Sequence, residues 1–349
     1  MTKSLITNSR ATSFKRCRRR HWWEYELQIR PENDAKALRM GSAVHAGLDV
    51  LKQGGTLETA FETAGQFYAF LPEGQDEQAW EYESTTVACL VSGWLWRWGE
   101  RGGLDVVASE ASFQMELRNP ATGACTPNYD LAGKMDGVVR FEDARLSVLE
   151  HKTVSEDLTE SSDYWQRLQM DSQISLYVYA ARELGHPVHG VLFDVIRKPT
   201  IRPEAVPLTD RNGFKIVLDR NGNRVMTKDG RKPRETASAA EGYVLQTRPM
   251  SGDEWAAKLT ADIGQRPEYY FARREIARLD SEIEEAMEEF WDLQKTLQEA
   301  RLRDRWYRTV SRDTCPYCPF FSLCSSKYAP DSPLPEGFVR VENPHQELG

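Results

Sequence analysis

Residues 131–153 read LAGKMDGVVRFEDARLSVLEHKT, and this stretch decides how the rest of the chain is interpreted. Two short apolar runs flank a polar turn, which is the pattern of a β-hairpin. The first run carries Asp136, and the second ends with Glu150 and Lys152. Pairing of the two strands would bring these three side chains to one end of the hairpin. Two carboxylates and a lysine gathered there predict a divalent-metal site with a cationic helper.

The composition of the 349-residue chain indicates a globular protein with one large core or two modest domains. Hydrophobic residues make up 40% of it, and it contains ten tryptophans. No apolar run approaches the roughly 18–20 residues of a membrane span, and the N-terminus lacks an apolar signal core. We therefore expect a soluble, cytoplasmic protein. The net charge of −8 argues against indiscriminate nucleic-acid binding by the whole surface, but not against a local basic channel.

Helical and extended patterns alternate along the chain, which predicts an α/β fold. The predicted strands outside the hairpin are Asp105–Leu117 and His189–Arg197. The predicted helices are Phe14–Tyr25, Leu38–Gln53, Thr56–Phe70, Gln78–Arg101, Tyr164–Gly185, Trp255–Ile263 and Tyr269–Arg301.

Two of these helices carry polar side chains with a possible role in a site. His45 lies beside the apolar stripe of Leu38–Gln53, where a histidine is more often a core residue than a metal ligand. Gln173 and Tyr177 lie four residues apart on one stripe of Tyr164–Gly185. That stripe either faces a polar surface or forms a solvent-exposed edge.

Residues 198–243 differ in composition from the rest of the chain, with many Pro, Gly, Asn, Asp and basic residues. The stretch from Arg197 to Thr236 has eleven Lys and Arg but only five Asp and Glu. Repeated turn signals predict an insertion, in the form of a long β-hairpin arm with a mobile tip. Such an arm is either a solvated loop or an element that closes over nucleic acid.

The cysteines are clustered in a way that predicts metal binding rather than disulfides in a cytoplasmic chain. Cys315, Cys318 and Cys324 fall within ten residues, and Cys17 is the candidate for a fourth ligand. Zinc and an iron–sulfur cluster are both possible with thiolate ligands. Joining Cys17 to the C-terminal cysteines would tie the two ends of the chain together.

The ordered set of these motifs resembles the RecB-like branch of the PD-(D/E)XK nuclease superfamily. The motifs in question are His45, Asp136, Glu150-x-Lys152 and Gln173-x3-Tyr177. The cysteines, one near the start and a C-x2-C-x5-C set near the end, resemble the iron–sulfur members of that branch. Those members include AddB-type nuclease domains and CRISPR-associated RecB-like exonucleases. The resemblance spans residues 14 to 324.

The resemblance implies a role for each of these residues. His45, Asp136 and Glu150 would bind Mg²⁺ or Mn²⁺ with the carbonyl of His151, and Lys152 would be the catalytic lysine. Gln173 and Tyr177 would line the DNA path beside the metal. A 4Fe-4S cluster would be held by the four cysteines, Cys17, Cys315, Cys318 and Cys324. Glu110 matches a strand position that is often acidic in the family. The basic insertion is not part of the minimal nuclease core.

The implied fold is a restriction-endonuclease-like central mixed sheet flanked by helices, whose N- and C-terminal helical parts are joined by the cysteine cluster. The expected regions are an N-terminal helical region (1–104), the nuclease core (105–197), the basic insertion (198–243), a C-terminal helical region with the cysteine cluster (244–328) and a flexible tail (329–349).

The leading hypothesis from the sequence is a metal-dependent DNA exonuclease acting on ends or single strands, in recombination, repair or phage and other mobile-element DNA processing. The chain has no Gly-x4-Gly-Lys-Ser/Thr motif, so a helicase or recombination partner would be a separate protein. One alternative is a DNA-end-binding accessory protein with little or no cleavage. Another is a structural module held together by zinc.

Overall fold

The computed structural model describes residues 3–33 and 35–348, which are organised around one central sheet. The strands in this part of the chain are, in order, β1 (Ser4–Ile6), β2 (Ile29–Pro31), β3 (Asp105–Arg118), β4 (Cys125–Arg140), β5 (Leu146–Val154), β6 (Val188–Arg197), β7 (Val206–Pro207), β8 (Val217–Leu218), β9 (Val244–Leu245), β10 (Thr247–Arg248), β11 (Phe271–Ala277) and β12 (Phe338–Arg340). The helices are α1 (Asn8–Arg16), α2 (Arg18–His21), α3 (Lys36–Lys52), α4 (Leu57–Gly65), α5 (Glu77–Trp98), α6 (Asp163–Leu168), α7 (Ser172–Glu183), α8 (Gly252–Gln265), α9 (Pro267–Tyr270), α10 (Asp280–Leu302) and α11 (Phe321–Ser325).

The middle of the central sheet is the predicted hairpin, formed by β4 and β5. β4 pairs along most of its length with β3 on one side. On its other side it pairs first with β1, in parallel, and then with β5, in antiparallel fashion. β5 continues to β6 in parallel, and β6 continues to β11 in antiparallel fashion. The predicted α/β architecture with a mixed sheet is confirmed, and β4 changes its neighbour half-way along.

Helices cover both faces of this sheet because its strands alternate apolar side chains in both directions. On one face, α1, α7 and α10 pack on residues such as Val138, Val148 and Phe193. On the other face, α3, α5 and α8 form a second core that includes Ile196 and Phe271. The sheet is therefore the middle layer of three, and side chains from both helical layers can reach the end of the hairpin.

Three of the predicted helices are wrong in part, and the first of them, over Phe14–Tyr25, is interrupted at Cys17. The helix predicted over Tyr164–Gly185 is broken, because Asp171 caps a new helix, α7, by accepting a hydrogen bond from the backbone N–H of Gln173. The helix predicted over Tyr269–Arg301 begins instead at Asp280. Tyr269 and Tyr270 end α9, and the residues that follow form β11, because backbone pairing with the open edge of β6 outweighs helical propensity.

The basic arm, residues 198–243, and the residues just after it form short ladders rather than one long hairpin. β7 pairs with β10, and β8 pairs with β9. Between them, the arm folds through successive tight turns closed by isolated bridges such as Thr209↔Lys215, Leu218↔Arg224 and Met226↔Pro233. The glycines at the repeated turn signals, Gly213, Gly222 and Gly230, all have positive φ. The turns predicted from the sequence are present, and each needs the left-handed backbone that glycine adopts readily.

The C-terminal tail packs against the N-terminal segment, although the sequence predicts flexibility for residues 329–349. β12 pairs antiparallel with β2, and the backbone N–H of Val341 donates to the carbonyl of Gln28. Thr7 also donates a 2.6 Å hydrogen bond to the carboxylate of Glu347. Backbone pairing of this kind orders a segment that its proline-rich composition alone would leave loose.

None of the helices within the described residues is long and apolar enough to cross a membrane.

Candidate active site

Asp136 and Glu150 occupy the point at which β4 and β5 separate. The ladder between the two strands ends with the pair Gly137↔Leu149, so Asp136 and Glu150 are the next residues on either side. The carboxylate of Asp136 then replaces the missing strand partner, because its Oδ2 accepts a 2.7 Å hydrogen bond from the backbone N–H of His151. The fork in the sheet thus holds both carboxylates beside one another.

Lys152 and Gln173 converge on the carboxylate of Glu150. Glu150 and Lys152 lie two apart on β5 and share a face, and their side chains are 2.5 Å apart, from Nζ to Oε1. Gln173, in the first turn of α7, donates from Nε2 to the same oxygen at 3.0 Å. The side-chain oxygen of Gln173 lies 3.5 Å from Nζ of Lys152. Both groups bind Oε1 of Glu150, and neither of these hydrogen bonds uses Oε2.

His45 reaches the same fork from α3, on the other side of the sheet. Its Nδ1 lies 3.9 Å from Oδ1 of Asp136, beyond hydrogen-bond distance. The structure therefore brings His45, Asp136, Glu150 and Lys152 together, although they come from three different elements. Their roles as ligands and catalyst stay predictions.

The environment of these groups shifts their protonation. Burial raises the pKa of Glu150 to about 7, against the opposing effect of the Lys152 ammonium. Burial acts on Asp136 in the same sense, but the charges of His45, His151 and Lys52 outweigh it and lower its pKa. Burial also acts against the charge of Lys152, yet the Glu150 carboxylate outweighs it and raises the pKa of this lysine. Lys152 is therefore a cation at neutral pH. Glu150 is the carboxyl group of the site that gains or loses its proton near that pH.

A network of buried groups, which the sequence did not reveal, lies behind His151. Its imidazole Nδ1 is 3.4 Å from Oδ2 of Asp194, which is fully buried on β6. The same oxygen accepts hydrogen bonds from Nε1 of Trp94 and from the guanidinium of Arg273, both at 2.8 Å. The buried imidazole of His151 packs beside this network, and neither of its ring nitrogens makes a hydrogen bond with a described residue.

Lys52 is another site residue that sequence reasoning missed. It lies two turns after His45 on α3 and is almost fully buried. Its Nζ donates to the backbone carbonyl of Asp136 at 3.0 Å and lies 2.6 Å from the carboxylate of Asp49. α3 thus approaches Asp136 twice, with the imidazole of His45 and with this ammonium. The spacing of seven between His45 and Lys52 is the only sequence signal that could have indicated a shared face.

Glu110 lies across the ladder from Asp136, between the register pairs Ser109↔Gly137 and Ala111↔Met135. Its backbone has a φ of 46°, which is unusual for a residue with a side chain. Its carboxylate pairs with Lys134 at 2.9 Å. The structure therefore places Glu110 next to the fork but shows it engaged with a lysine.

Tyr177 is buried, one turn after Gln173 on α7. Its hydroxyl donates a 2.9 Å hydrogen bond to the backbone carbonyl of Lys134 on β4. Burial raises the pKa of this hydroxyl well above its ordinary value. Tyr177 thus holds α7 against the strand that carries Asp136, while Gln173 is the one of the two that contacts Glu150.

The cysteine segments at the two ends of the chain lie against each other. Cys17 separates α1 from α2 in an extended conformation, which breaks the helix predicted over Phe14–Tyr25. The backbone N–H of Thr309 donates to Sγ of Cys17 at 3.4 Å. Cys318 and Cys324 pack against a small core shared by the two ends, which is formed by Trp23, Ile29, Phe320 and Leu323. All the cysteines are free thiols.

Among residues 3–33 and 35–348, no group of three or more His, Cys, Asp and Glu side chains is already arranged to hold a metal ion. This applies both to the fork and to the cysteine segments.

Comparison with known families identifies this arrangement. The family model of the PD-(D/E)XK nuclease superfamily matches residues 6–325, which is most of the chain. The chain belongs to the PD-(D/E)XK nuclease superfamily. The match includes the fork with Asp136, Glu150 and Lys152, so the predicted superfamily is confirmed. No curated protein matches this nuclease-superfamily chain.

Two solved structures are similar to this member of the nuclease superfamily. SSO0001 has 13% sequence identity and a TM-score of 0.34, with 94% of this chain and 89% of that chain covered. A candidate exonuclease from Eubacterium rectale has 10% identity and a TM-score of 0.35, with 76% and 81% covered. Neither likeness is close enough to transfer an activity.

Nucleases of this superfamily act on DNA and generally use Mg²⁺ or Mn²⁺, and the donor set at the fork suits such ions. Carboxylate oxygens are the preferred ligands of Mg²⁺, and an imidazole is also accepted by Mn²⁺. Oδ1 of Asp136 and Nδ1 of His45 face each other without a hydrogen bond, at a separation that one cation could bridge. The residues at the fork therefore fit a hard divalent cation.

Proposed function

We propose that this protein is a metal-dependent DNA exonuclease that hydrolyses phosphodiester bonds at DNA ends or in single strands. The observation that carries this proposal is the convergence of His45, Asp136, Glu150 and Lys152 at the fork between β4 and β5. Its membership of a nuclease superfamily supports DNA as the substrate. A role in recombination, repair or mobile-element DNA processing, alone or with a helicase or recombination partner, is part of the same proposal.

In this proposal, His45, Asp136, Glu150 and the carbonyl of His151 would hold Mg²⁺ or Mn²⁺. A bound cation of this kind lowers the pKa of a coordinated water and neutralises charge on the phosphate. Lys152 remains a cation at neutral pH, beside Glu150, and stabilises the charge that develops on the phosphate oxygens. Gln173 holds the side chains of Lys152 and Glu150 in place through its amide, which contacts both.

The proposal extends to the cysteines. Cys17, Cys315, Cys318 and Cys324 would hold a structural 4Fe-4S cluster, a fit supported by the thiol donors and by the packing of the two end segments against each other. The expected regions of the chain, with a nuclease core at 105–197 between two helical parts, belong to the same proposal.

Replacement of Lys152 by alanine tests the exonuclease proposal directly. Purified protein with Mn²⁺ or Mg²⁺ should degrade end-labelled DNA. Lys152→Ala should lower the rate by about a hundredfold or more, because the transition state is deprived of a stabilising positive charge. Because the buried Glu150 loses its ammonium partner in this variant, thermal unfolding is measured alongside to show that the variant is folded at the assay temperature.

Arg182→Ala, which removes a part-exposed cation at the far end of α7, is the matched control and should keep full activity. Full cleavage by Lys152→Ala would contradict the assignment. Tight DNA binding by the unaltered protein without any metal-dependent cleavage would favour a DNA-end-binding accessory protein instead. Blocking one terminus of the labelled DNA separates exonuclease from endonuclease cleavage.

A further inference from the structure

The basic arm has an excess of positive charge, whereas the rest of the chain has an excess of negative charge. Residues 197–236 have eleven Lys and Arg and five Asp and Glu, a net charge of +6, within a chain of net charge −8. The remaining residues therefore carry a net charge of −14. A positive segment on a negative protein concentrates the attraction for a polyanion at one place.

The acidic side chains of the arm are used to build its turns. Asp210 accepts hydrogen bonds from the backbone N–H groups of Asn212 and Phe214, and Asp219 accepts them from Asn221 and Asn223. These backbone donors also hold the pKa of Asp219 below its ordinary value. These carboxylates stabilise the turns by accepting hydrogen bonds from the backbone, and, among the described residues, none of them forms an ion pair with a lysine of the arm.

The remaining turn acids follow the same pattern. Asp229 accepts a hydrogen bond from the backbone N–H of Arg231, and Glu235 accepts one from that of Lys215. The aspartates at the turns, and Glu235 beside them, therefore serve the backbone of the arm.

The basic side chains of the arm, in contrast, mostly project outward. Arg224 and Arg234 are neutralised by Asp210 and Glu241. Within the described part of the chain, no ion pair forms at five exposed basic residues of the arm, which are Arg211, Lys215, Lys228, Arg231 and Lys232. Exposed cations without acidic partners are the groups that bind phosphates.

The arm begins at the catalytic end of the sheet. Lys152 is the register partner of Val195 on β6, and Arg197 follows only two residues later, about 7 Å along the strand. The backbone N–H of Lys198 donates to the carbonyl of Val154, the last residue of β5, at 2.7 Å. The strand that carries Lys152 is thus bonded directly to the first residue of the arm.

The root of the arm is held firmly. The guanidinium of Arg197 lies 4.2 Å from the ring centre of Tyr269, whose hydroxyl donates to the side chain of Thr200 at 2.8 Å. At the returning end, the carbonyl of Met250 accepts hydrogen bonds from Gln78 and Tyr82 on α5. A root fixed at both ends gives the basic surface a defined place relative to the fork.

We propose that the basic arm binds the sugar–phosphate backbone of the DNA strand that enters the site at the fork. The proposal rests on the proposed nuclease function for the identity of the polyanion. The arm binds phosphates without reading base sequence, because its exposed groups are charged side chains on flexible aliphatic stems. It holds the strand while the fork acts on a phosphodiester.

Charge removal at the third turn of the arm tests this. The arm variant is Lys228→Ala, Arg231→Ala and Lys232→Ala. The matched control is Lys295→Ala, Arg303→Ala and Arg305→Ala, which removes the same charge from exposed positions on and just after α10. Binding to a long single strand is measured with Ca²⁺ in place of Mg²⁺, over a range of salt concentrations.

We expect the arm variant to bind about tenfold or more weakly. The slope of log affinity against log salt should flatten by about 0.7 for each phosphate that the variant no longer neutralises. Cleavage of a trinucleotide, which has few phosphates to share between the arm and the fork, should lose less of its rate than cleavage of the long strand. The control should behave like the unaltered protein in all three measurements. Circular dichroism checks that each variant is folded.

An arm variant with unchanged affinity and salt slope would overturn the proposal and favour an acidic protein surface as the partner of the arm. The two proposals also fail separately. A protein that cleaves neither substrate with Mn²⁺ or Mg²⁺, yet loses DNA binding in the arm variant, would contradict the nuclease and support the arm.

Discussion

Lys52 is the side chain that most directly joins α3 to the candidate catalytic strand. It is buried, and its ammonium contacts both the carbonyl of Asp136 and the carboxylate of Asp49. His45 lies on the same helix face, so Lys52 also sets the distance between His45 and Asp136. We infer that its role is to position the two predicted ligands rather than to contact substrate.

Lys52→Met should lower both stability and activity. Removing the ammonium leaves the part-buried carboxylate of Asp49 and the carbonyl of Asp136 without their donor, which should cost about 1–3 kcal/mol in the free energy of unfolding. The DNA cleavage rate should fall by about tenfold or more, with a higher KM for the metal ion, because the ligands are misplaced. Urea unfolding and metal titration of the cleavage rate measure the two effects.

The double variant Lys52→Met/Asp49→Asn separates the two roles. It should recover part of the stability, since no carboxylate is left without its cation, but not the metal affinity. Recovery of both would show that Lys52 only neutralises Asp49.

The raised pKa of Glu150 predicts a pH dependence of activity near neutrality. Burial raises this pKa to about 7, so below that pH the carboxyl is mostly protonated and cannot bind a cation. At limiting Mn²⁺, cleavage should increase as the pH rises from about 6 to 8. Higher Mn²⁺ should move the midpoint to lower pH, because the cation competes with the proton. A midpoint that stays near 4.5, the ordinary value for glutamate, would contradict this assignment.

The raised pKa of Glu150 should make the metal-free protein less stable as the pH rises, although activity increases over the same range. A carboxyl with a raised pKa binds its proton more tightly in the folded state, so its contribution to stability is present at low pH. That contribution is lost as the pH rises from 4.5 toward about 7.

Among the secondary-structure elements, β11 is the one that changes the sheet relative to the architecture predicted from the sequence. It extends the sheet beyond β6 where the sequence predicts a helix. Gly190 pairs with Ala277 across this junction, and a Cβ at Gly190 would lie 2.5 Å from the carbonyl oxygen of Ile276. The two backbones approach so closely that only glycine fits at position 190.

Gly190→Ala should therefore lower the free energy of unfolding by about 1–3 kcal/mol, because the strands must separate to admit the methyl group. Gly264→Ala is the matched control, since no described atom outside its own helix lies within 4 Å of its added Cβ. In the helix α8 this change should be neutral or should stabilise by up to about 1 kcal/mol. Urea unfolding of both variants measures the difference. A neutral Gly190→Ala would indicate that residues 271–277 do not pair with β6.

In the molecule as a whole, the two ends of the chain are joined around the sheet. β2 pairs with β12, and Arg19 donates through its backbone N–H to the carbonyl of Tyr307 at 3.0 Å. The cysteine segments lie within this junction. A 4Fe-4S cluster there would close nearly the whole chain into one loop and add its binding energy to folding.

Protein prepared without oxygen should be brown and contain iron and sulfide. Cys17→Ser should lose the colour and lower the thermal unfolding temperature by several degrees, because one ligand and the link between the ends are removed. Cys125→Ser, at an exposed cysteine outside the junction, should keep both. Colourless protein with bound zinc would contradict the iron–sulfur assignment and support a zinc site.

Local pattern was enough to predict the hairpin with Asp136, Glu150 and Lys152, because strand alternation and a turn place these residues together without help from the rest of the fold. It was also enough for the turns of the basic arm, where Asx and Gly residues specify local geometry. Single-sequence patterns could not predict β11 or the β2–β12 pairing, since a strand at a sheet edge is stabilised by a partner distant in sequence. They likewise missed the break at Asp171.

The groups that surround the predicted ligands could likewise be identified only from the tertiary structure. His45 was singled out only through a family resemblance, since a histidine beside an apolar stripe is usually a core residue. Asp194 lies beside His151 because β5 and β6 are in parallel register, and Lys52 binds Asp136 because α3 packs across the end of β4. These interactions join residues 43 and 84 positions apart. The sequence encodes the chemistry of the fork in one hairpin, whereas the packing of helices and strands around it decides which buried charges hold that chemistry in place.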